Sequence, residues 1–148
     1  MIEFFHEFDC LESDMVTLKI VEKNKGATDM LPFYYYDIFN KAGEHVGKIS
    51  VRIGNNFHSY YNGHIGYEIF EGHRGKHYSY EAVKLVLQVA KAHGMKELFI
   101  TCGLSNDASI KTIERLGAVK KDIVKIPKEC FFYHEGIQDY CVYSLQIN

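Results

Sequence analysis

The chemistry-bearing residues of this chain crowd into one stretch, Gly63–His93 (GHIGYEIFEGHRGKHYSYEAVKLVLQVAKAH). It reads as a strand (Ile65–Phe70), a polar turn dense in Gly and basic residues (Glu71–Lys76), and an amphipathic helix opening near Ser79. A turn of this kind leaves backbone N–H groups free at a helix N-terminus, where the helix dipole also favours negative charge. Gly75, Lys76, His77, Tyr78 and Ser79 would supply the N–H groups, and the Arg74 and Lys76 side chains would add charge. Taken alone, the same pattern more commonly means a solvated basic turn capping a helix.

Other chemistries fit the stretch less well. A Walker-type phosphate loop needs Gly-x-x-x-x-Gly-Lys-Ser/Thr, whereas Gly72-His73-Arg74-Gly75-Lys76-His77 has the wrong spacing and no hydroxyl after the lysine. No Gly-x-Gly-x-x-Gly occurs. His73 and His77, with His64, Glu68 and Glu71 nearby, raise a metal site. Eight histidines in so short a chain make such proximity ordinary, and no HExxH spacing is present, so no metal is expected. Cys10, Cys102, Cys130 and Cys141 lack zinc-type spacing and read as reduced thiols. Cys102, inside an apolar run, reads as a small buried residue rather than a nucleophile.

The elements that must position this stretch follow from hydrophobic periodicity. Met1–Asp14 reads as a short helix or a loose arm. Val16–Lys23 alternates as a half-buried strand, and Asn24–Pro32 is a polar connection. Phe33–Asn40 and Val46–Ile53 flank Lys41–His45 as a β-hairpin, and Gly54–Gly63 reads as a loop. In the helix, Ala82, Val83, Val86, Val89 and Ala90 share one face, with Ser79 as N-cap and Gly94 as the stop. Glu97–Cys102 is an apolar run after a helix, hence a buried parallel strand. Asn106–Leu116 is a second helix closed by Gly117, and Val119–Ile126 and Tyr140–Ile147 are the last strands.

At 148 residues, with 47% hydrophobic and 24% charged residues, the chain fits one domain (residues 1–148) with a substantial core. A net charge of −2 argues against a nucleic-acid partner. No apolar run of membrane-spanning length occurs, and the start MIEFFHEFDC has no basic leader, so no membrane partner and a cytoplasmic location are expected.

With these elements placed, the chain resembles the GNAT superfamily of N-acetyltransferases. The family signature Arg/Gln-x-x-Gly-x-Gly/Ala falls on Arg74-Gly75-Lys76-His77-Tyr78-Ser79: Arg74 matches, while His77 and Ser79 occupy the glycine positions. Gly66-Tyr67-Glu68-Ile69 and Tyr80-Glu81-Ala82 are similar to the family's flanking residues. In Thr101–Ala118, Asn106, Ser109 and Leu116-Gly117 match the Asn-x-x-Ala/Ser helix that ends in Leu-Gly-Phe, with Ala118 in place of Phe. The resemblance covers Phe33 to about Asp122.

The resemblance implies an α/β (α+β) GNAT-like domain: a mixed, mostly antiparallel sheet, a central parallel strand pair splayed for CoA, and helices on both faces. The helical region between the first two strands is shortened to Asn24–Pro32. It implies acetyl-CoA as cosubstrate, with the pantetheine along Ile69, Phe70 and Glu71, the pyrophosphate on the Arg74–Ser79 turn, and Asn106 facing them. A primary amine of a small molecule or a protein N-terminus would attack the thioester directly. Glu68 is then the general base, the alternative being a carboxylate paired with a lysine of the next strand or facing solvent. The acceptor side would use His64, Tyr60 and Tyr61. It would be open, or completed by the loop Gly54–Asn62 or by a partner subunit, as in a homodimer. The family's usual acid, a Tyr four residues before the Leu-Gly glycine, is Ile113 here; Tyr133, Tyr140 or Tyr143 would have to substitute. Because of His77, Ser79 and Ile113, the rival reading is a non-catalytic acyl-CoA-binding or interaction domain.

Overall fold

The computed structural model describes residues 2–147. Eight strands, β1 (Cys10–Glu12), β2 (Val16–Asn24), β3 (Phe33–Asn40), β4 (His45–Arg52), β5 (Ile65–Ile69), β6 (Glu97–Gly103), β7 (Val119–Val124) and β8 (Tyr140–Gln146), alternate with three helices. These are the single turn α1 (Ser59–Asn62), the long α2 (Tyr78–Ala92) and α3 (Asp107–Arg115). The N-terminal segment is neither a true helix nor a loose arm: a short 3₁₀ turn, His6–Phe8, leads into β1, which pairs with β2.

The strands form two sheets, one in the order β1-β2-β3-β4-β5 and one in the order β6-β8-β7. Every ladder among the described residues is antiparallel. The expected central pair, β5 and β6, has no ladder of its own. The strands are tied by a clamp at one end, where His64 N–H donates to Phe99 O (2.7 Å) and Phe99 N–H donates to His64 Nδ1 (2.9 Å). Beyond that clamp the β5 edge is left without a strand partner. Gly63 permits the clamp: it has φ 76, and a Cβ there would lie 3.0 Å from Phe99 O and 3.2 Å from Thr101 N.

Alternation along the strands sends Tyr34, Tyr36 and Ile38 of β3 and Ile49 and Val51 of β4 into the core. There they meet Ala82, Val83, Val86, Val89 and Ala90 of α2, all fully buried, as the helical periodicity requires. Each buried valine contributes roughly 1.5–3 kcal/mol relative to an exposed one. α1 lies on the other face of β6: Leu98 and Ile100 point into the core, whereas Phe99, on the opposite side of the pleat, meets the Tyr60 ring edge-on at 5.2 Å. Between β2 and β3 no helix intervenes; Ala27 and Met30 form only an isolated bridge.

Candidate functional site

Four segments meet at the open edge of β5 and line a cavity of about 710 Å³. Tyr67, Glu68 and Ile69 line it from β5; Arg74, Gly75 and His77 from the turn; Tyr78 and Ser79 from the start of α2; Asn106, Ser109, Thr112 and Arg115 from the α3 side. An edge strand presents N–H and C=O groups that an extended, amide-bearing chain can pair with.

The turn is built by left-handed residues. Gly72 and Gly75 have φ of 91 and 82, and His77, at the N-cap of α2, has φ 64. The backbone therefore takes at His77 the conformation for which a glycine is usual, even though the residue carries a side chain. This left-handed start also opens the helix at Tyr78 and not at Ser79. Ser79 is the second helical residue rather than the N-cap, and its Oγ lies 3.4 Å from Thr112 Oγ1. No side chain caps the first turn of α2, so its leading N–H groups face the cavity without an intrahelical partner.

The His77 ring leans toward α3, where Arg115 donates to Nδ1 at 2.9 Å. Arg115 also stacks on Tyr80, with the guanidinium carbon 4.7 Å from the ring centroid. Lys111 lies one turn earlier on the same helix face and also lines the cavity. Arg74 is less free than its sequence position suggests: its Nε donates to Ile69 O at 2.8 Å, clipping the turn to the end of β5. Asn106 caps α3 through Oδ1, which accepts from Ser109 N–H (3.3 Å); its amide NH₂ remains for a ligand.

Tyr67 and Glu68 point to opposite faces of β5. Glu68 is exposed on the outer face, in register with Lys48 of β4, and no ion pair joins the two among the described residues. Tyr67 faces α2 and α3, and its buried hydroxyl makes no well-formed hydrogen bond among the described residues, the side chains of Ser109 and Thr112 lying within loose reach of it. Burial pushes its pKa above the ordinary 10.0, so the phenol stays protonated at neutral pH. An unpartnered buried hydroxyl costs about 1–3 kcal/mol and marks a place where a polar ligand atom fits.

Several expected site residues stand elsewhere. His64 is fully buried as part of the clamp: Nδ1 accepts from Phe99 N–H, and Nε2 donates to Gly54 O at 2.8 Å. With both nitrogens spent, it is framework rather than acceptor wall, and burial lowers its pKa. Tyr60 and Tyr61 line neither this cavity nor the second one, because residues 59–62 coil into α1. That turn sends the Tyr60 hydroxyl to Asp122 (2.9 Å) and Tyr61 against Phe57, while His58, Ser59 and Asn62 face a second cavity. Phe70 still donates its N–H to Val46 O (2.9 Å), and Glu71 and Lys76 are exposed outside the cavity lining. Ile113 is buried in the core, and Tyr143 spends its hydroxyl on Glu114 (3.1 Å), its pKa pushed up to about 12. Cys102 is buried with a pKa raised to about 11, in keeping with a packing role.

A family model described as an acetyltransferase (GNAT) domain matches residues 7–119. The chain belongs to the GNAT acetyltransferase family. The fold of this GNAT domain recurs in solved structures. The microcin C7 self-immunity acetyltransferase MccE, in complex with acetyl-CoA and AMP, is 23% identical, with a TM-score of 0.62 over 78% of this chain and 61% of that one. The ribosomal-protein-S5-alanine acetyltransferase of Vibrio fischeri is 16% identical, with a TM-score of 0.68 over 93% of this chain and 96% of that one. An acetyltransferase of Salmonella typhimurium that modifies the N-terminal serine of ribosomal protein L7/L12 is 17% identical, with a TM-score of 0.59 over 78% and 64%. This GNAT domain thus spans under two thirds of the MccE and Salmonella chains. At such identities the likeness is one of fold. No match is found among curated proteins.

Lys111, Arg115 and Tyr67 were not singled out from the sequence. The i, i+4 spacing of Lys111 and Arg115 does carry a signal, since Asn106 fixes which face of α3 looks at the turn. Tyr67 carries a weaker one: on an alternating strand it lies opposite Glu68, toward the helices.

Proposed function

We propose that this GNAT domain transfers an acetyl group from acetyl-CoA to a primary amine by direct attack on the thioester. One observation carries the reading: the unpaired edge of β5 and the uncapped first turn of α2 open into the same cavity. The uncapped N–H groups, with Arg115 and Lys111, hold the pyrophosphate; the β5 edge pairs with the pantetheine amides, and Asn106 supplies its NH₂. Pairing at Ile69 O requires Arg74 to swing from that carbonyl toward the phosphates.

Glu68 accepts the proton of the incoming ammonium from the outer face of β5. The amine nitrogen then bonds to the carbonyl carbon, and the C–S bond breaks. Tyr67, protonated, donates to the departing thiolate in place of the tyrosine that Ile113 replaces, and the second proton of the attacking nitrogen, lost as the amide forms, restores the phenol through solvent. A thiol of pKa ~8.5 is a fair leaving group, so the acid accelerates the step without being indispensable.

The burial of Ile113 and the Arg74–Ile69 contact favour a second reading, a non-catalytic acyl-CoA binder. Incubation with acetyl-CoA and a panel of amines and peptides, following thiol release, separates the two. Turnover that Glu68→Gln lowers most at low pH supports catalysis; tight acetyl-CoA binding without turnover of any amine supports the binder.

A further inference from the structure

The outer face of the five-stranded sheet bears a second cavity, of about 630 Å³, on the side away from α2. Cross-strand rows lay its floor, Phe33 opposite Arg52 and Tyr35 opposite Ser50, and Gly66 follows Ser50 in its row just beyond the lining. His58 and Phe131 form a wall, their rings 6.0 Å apart, and Phe131 is 74% exposed at the rim. Phe33, Tyr35 and Phe131 with Met30 and Leu31 make this lining largely apolar.

Arg52 is the cation on the floor. One terminal nitrogen, Nη1, donates to Gly63 O at 3.1 Å, and no carboxylate pairs with the guanidinium among the described residues. Burial lowers its pKa, the mark of a cation removed from water without a counter-charge. Its remaining N–H groups form a fork suited to a carboxylate. The fork lies over Gly66: a Cβ there would sit 3.5 Å from Nη2 and 3.8 Å from Nη1. Gly66 is two residues from Glu68 on the same face, about 7 Å at strand rise. An amino acid spans that distance once a hydrogen bond at each end is included. Glu22, Asp29 and Glu129 also line the cavity; their negative field repels simple anions and so selects a molecule bearing both charges.

We propose that this cavity holds the acceptor of the transfer reaction, and that the acceptor is a free amino acid with an apolar side chain, its carboxylate on Arg52 and its amine toward Glu68. The assignment rests on the acetyltransferase reading, but its test does not depend on turnover. Binding of L-phenylalanine, L-leucine and L-methionine, each against its C-terminal amide, is measured by NMR titration of the wild-type chain, of Arg52→Gln and of Arg52→Lys, with acetyl-CoA binding measured in parallel. At least one acid is expected to bind tenfold or more tightly than its amide, as a charge-assisted pair requires. Arg52→Gln should abolish that preference and Arg52→Lys should reduce it, both with acetyl-CoA affinity unchanged. Equal binding of acid and amide in the wild type, a preference that survives Arg52→Gln, or no binding of any acid at millimolar concentration would overturn the proposal. Loss of acetyl-CoA binding in the wild type would instead count against the acetyltransferase reading.

Discussion

The left-handed backbone at His77 makes a quantitative prediction. A non-glycine residue at φ 64 carries about 1–2 kcal/mol of strain, which His77→Gly removes. Glycine also widens the unfolded ensemble, costing about 0.4–1 kcal/mol, and the exposed contact to Arg115 adds a few tenths. These terms nearly cancel, so His77→Gly should change unfolding free energy by less than about 1 kcal/mol. Acetyl-CoA binding should hold or tighten, since the backbone N–H groups are already placed and the ring only narrows the approach. His77→Val should behave oppositely, because a β-branched residue resists the left-handed region; a loss of about 1–3 kcal/mol and weaker acetyl-CoA binding are expected. Urea unfolding and acetyl-CoA titration of both variants test the reasoning. It is refuted if His77→Gly weakens acetyl-CoA binding tenfold while His77→Val leaves stability and binding intact. That outcome would make the ring, not the backbone conformation, the working part of the turn.

Further outcomes follow from the same geometry. Tyr67→Phe removes a buried hydroxyl that makes no well-formed hydrogen bond among the described residues, so stability should change by less than about 1 kcal/mol, while kcat should fall at least tenfold; an unchanged kcat in a thiol-release assay would remove Tyr67 from the chemistry. Arg115→Ala should weaken acetyl-CoA binding about tenfold and flatten its salt dependence, read by titration at two ionic strengths. Stability should depend on pH at both ends of the range, followed by urea midpoints. His64 and His93 have pKa values held below 6.5 by burial, so below pH 6.5 the unfolded chain takes up protons that the folded one refuses, and stability should decline on acidification. Tyr143, raised to about 12, and Tyr67, raised by burial, keep their protons in the folded state after the unfolded chain has lost them. Stability should therefore also decline as pH rises through 10.

Much of the fold is written locally and much of the site is not. The alternation in Phe33–Asn40 and the apolar face from Ala82 to Ala90 each name their own element and its buried side, because one helix or strand decides both. The Asn106 cap is equally local. His64 is different: its residue type suits a binding site, and only the approach of Phe99, thirty-five positions away, turns it into a clamp. Tyr60 and Tyr61 are also set by context, because a four-residue helical turn leaves too little periodicity to reveal which side chains face a cavity. The start of α2 was shifted because Ser79 satisfies the usual capping preference, whereas the left-handed His77 opens the helix before it. The division into two sheets, and with it the open edge of β5, depends on a partner strand that is missing over most of the seam. No single segment encodes that.

The central claim is that acetyl-CoA seats between the β5 edge and the first turn of α2, and amide NMR during acetyl-CoA titration tests it most directly. Large saturating shifts are predicted at Tyr67–Ile69, Gly75–Tyr80 and Asn106–Ser109, with little change in β7. Shifts confined to other surfaces, or a spectrum unchanged at saturating acetyl-CoA, would contradict it.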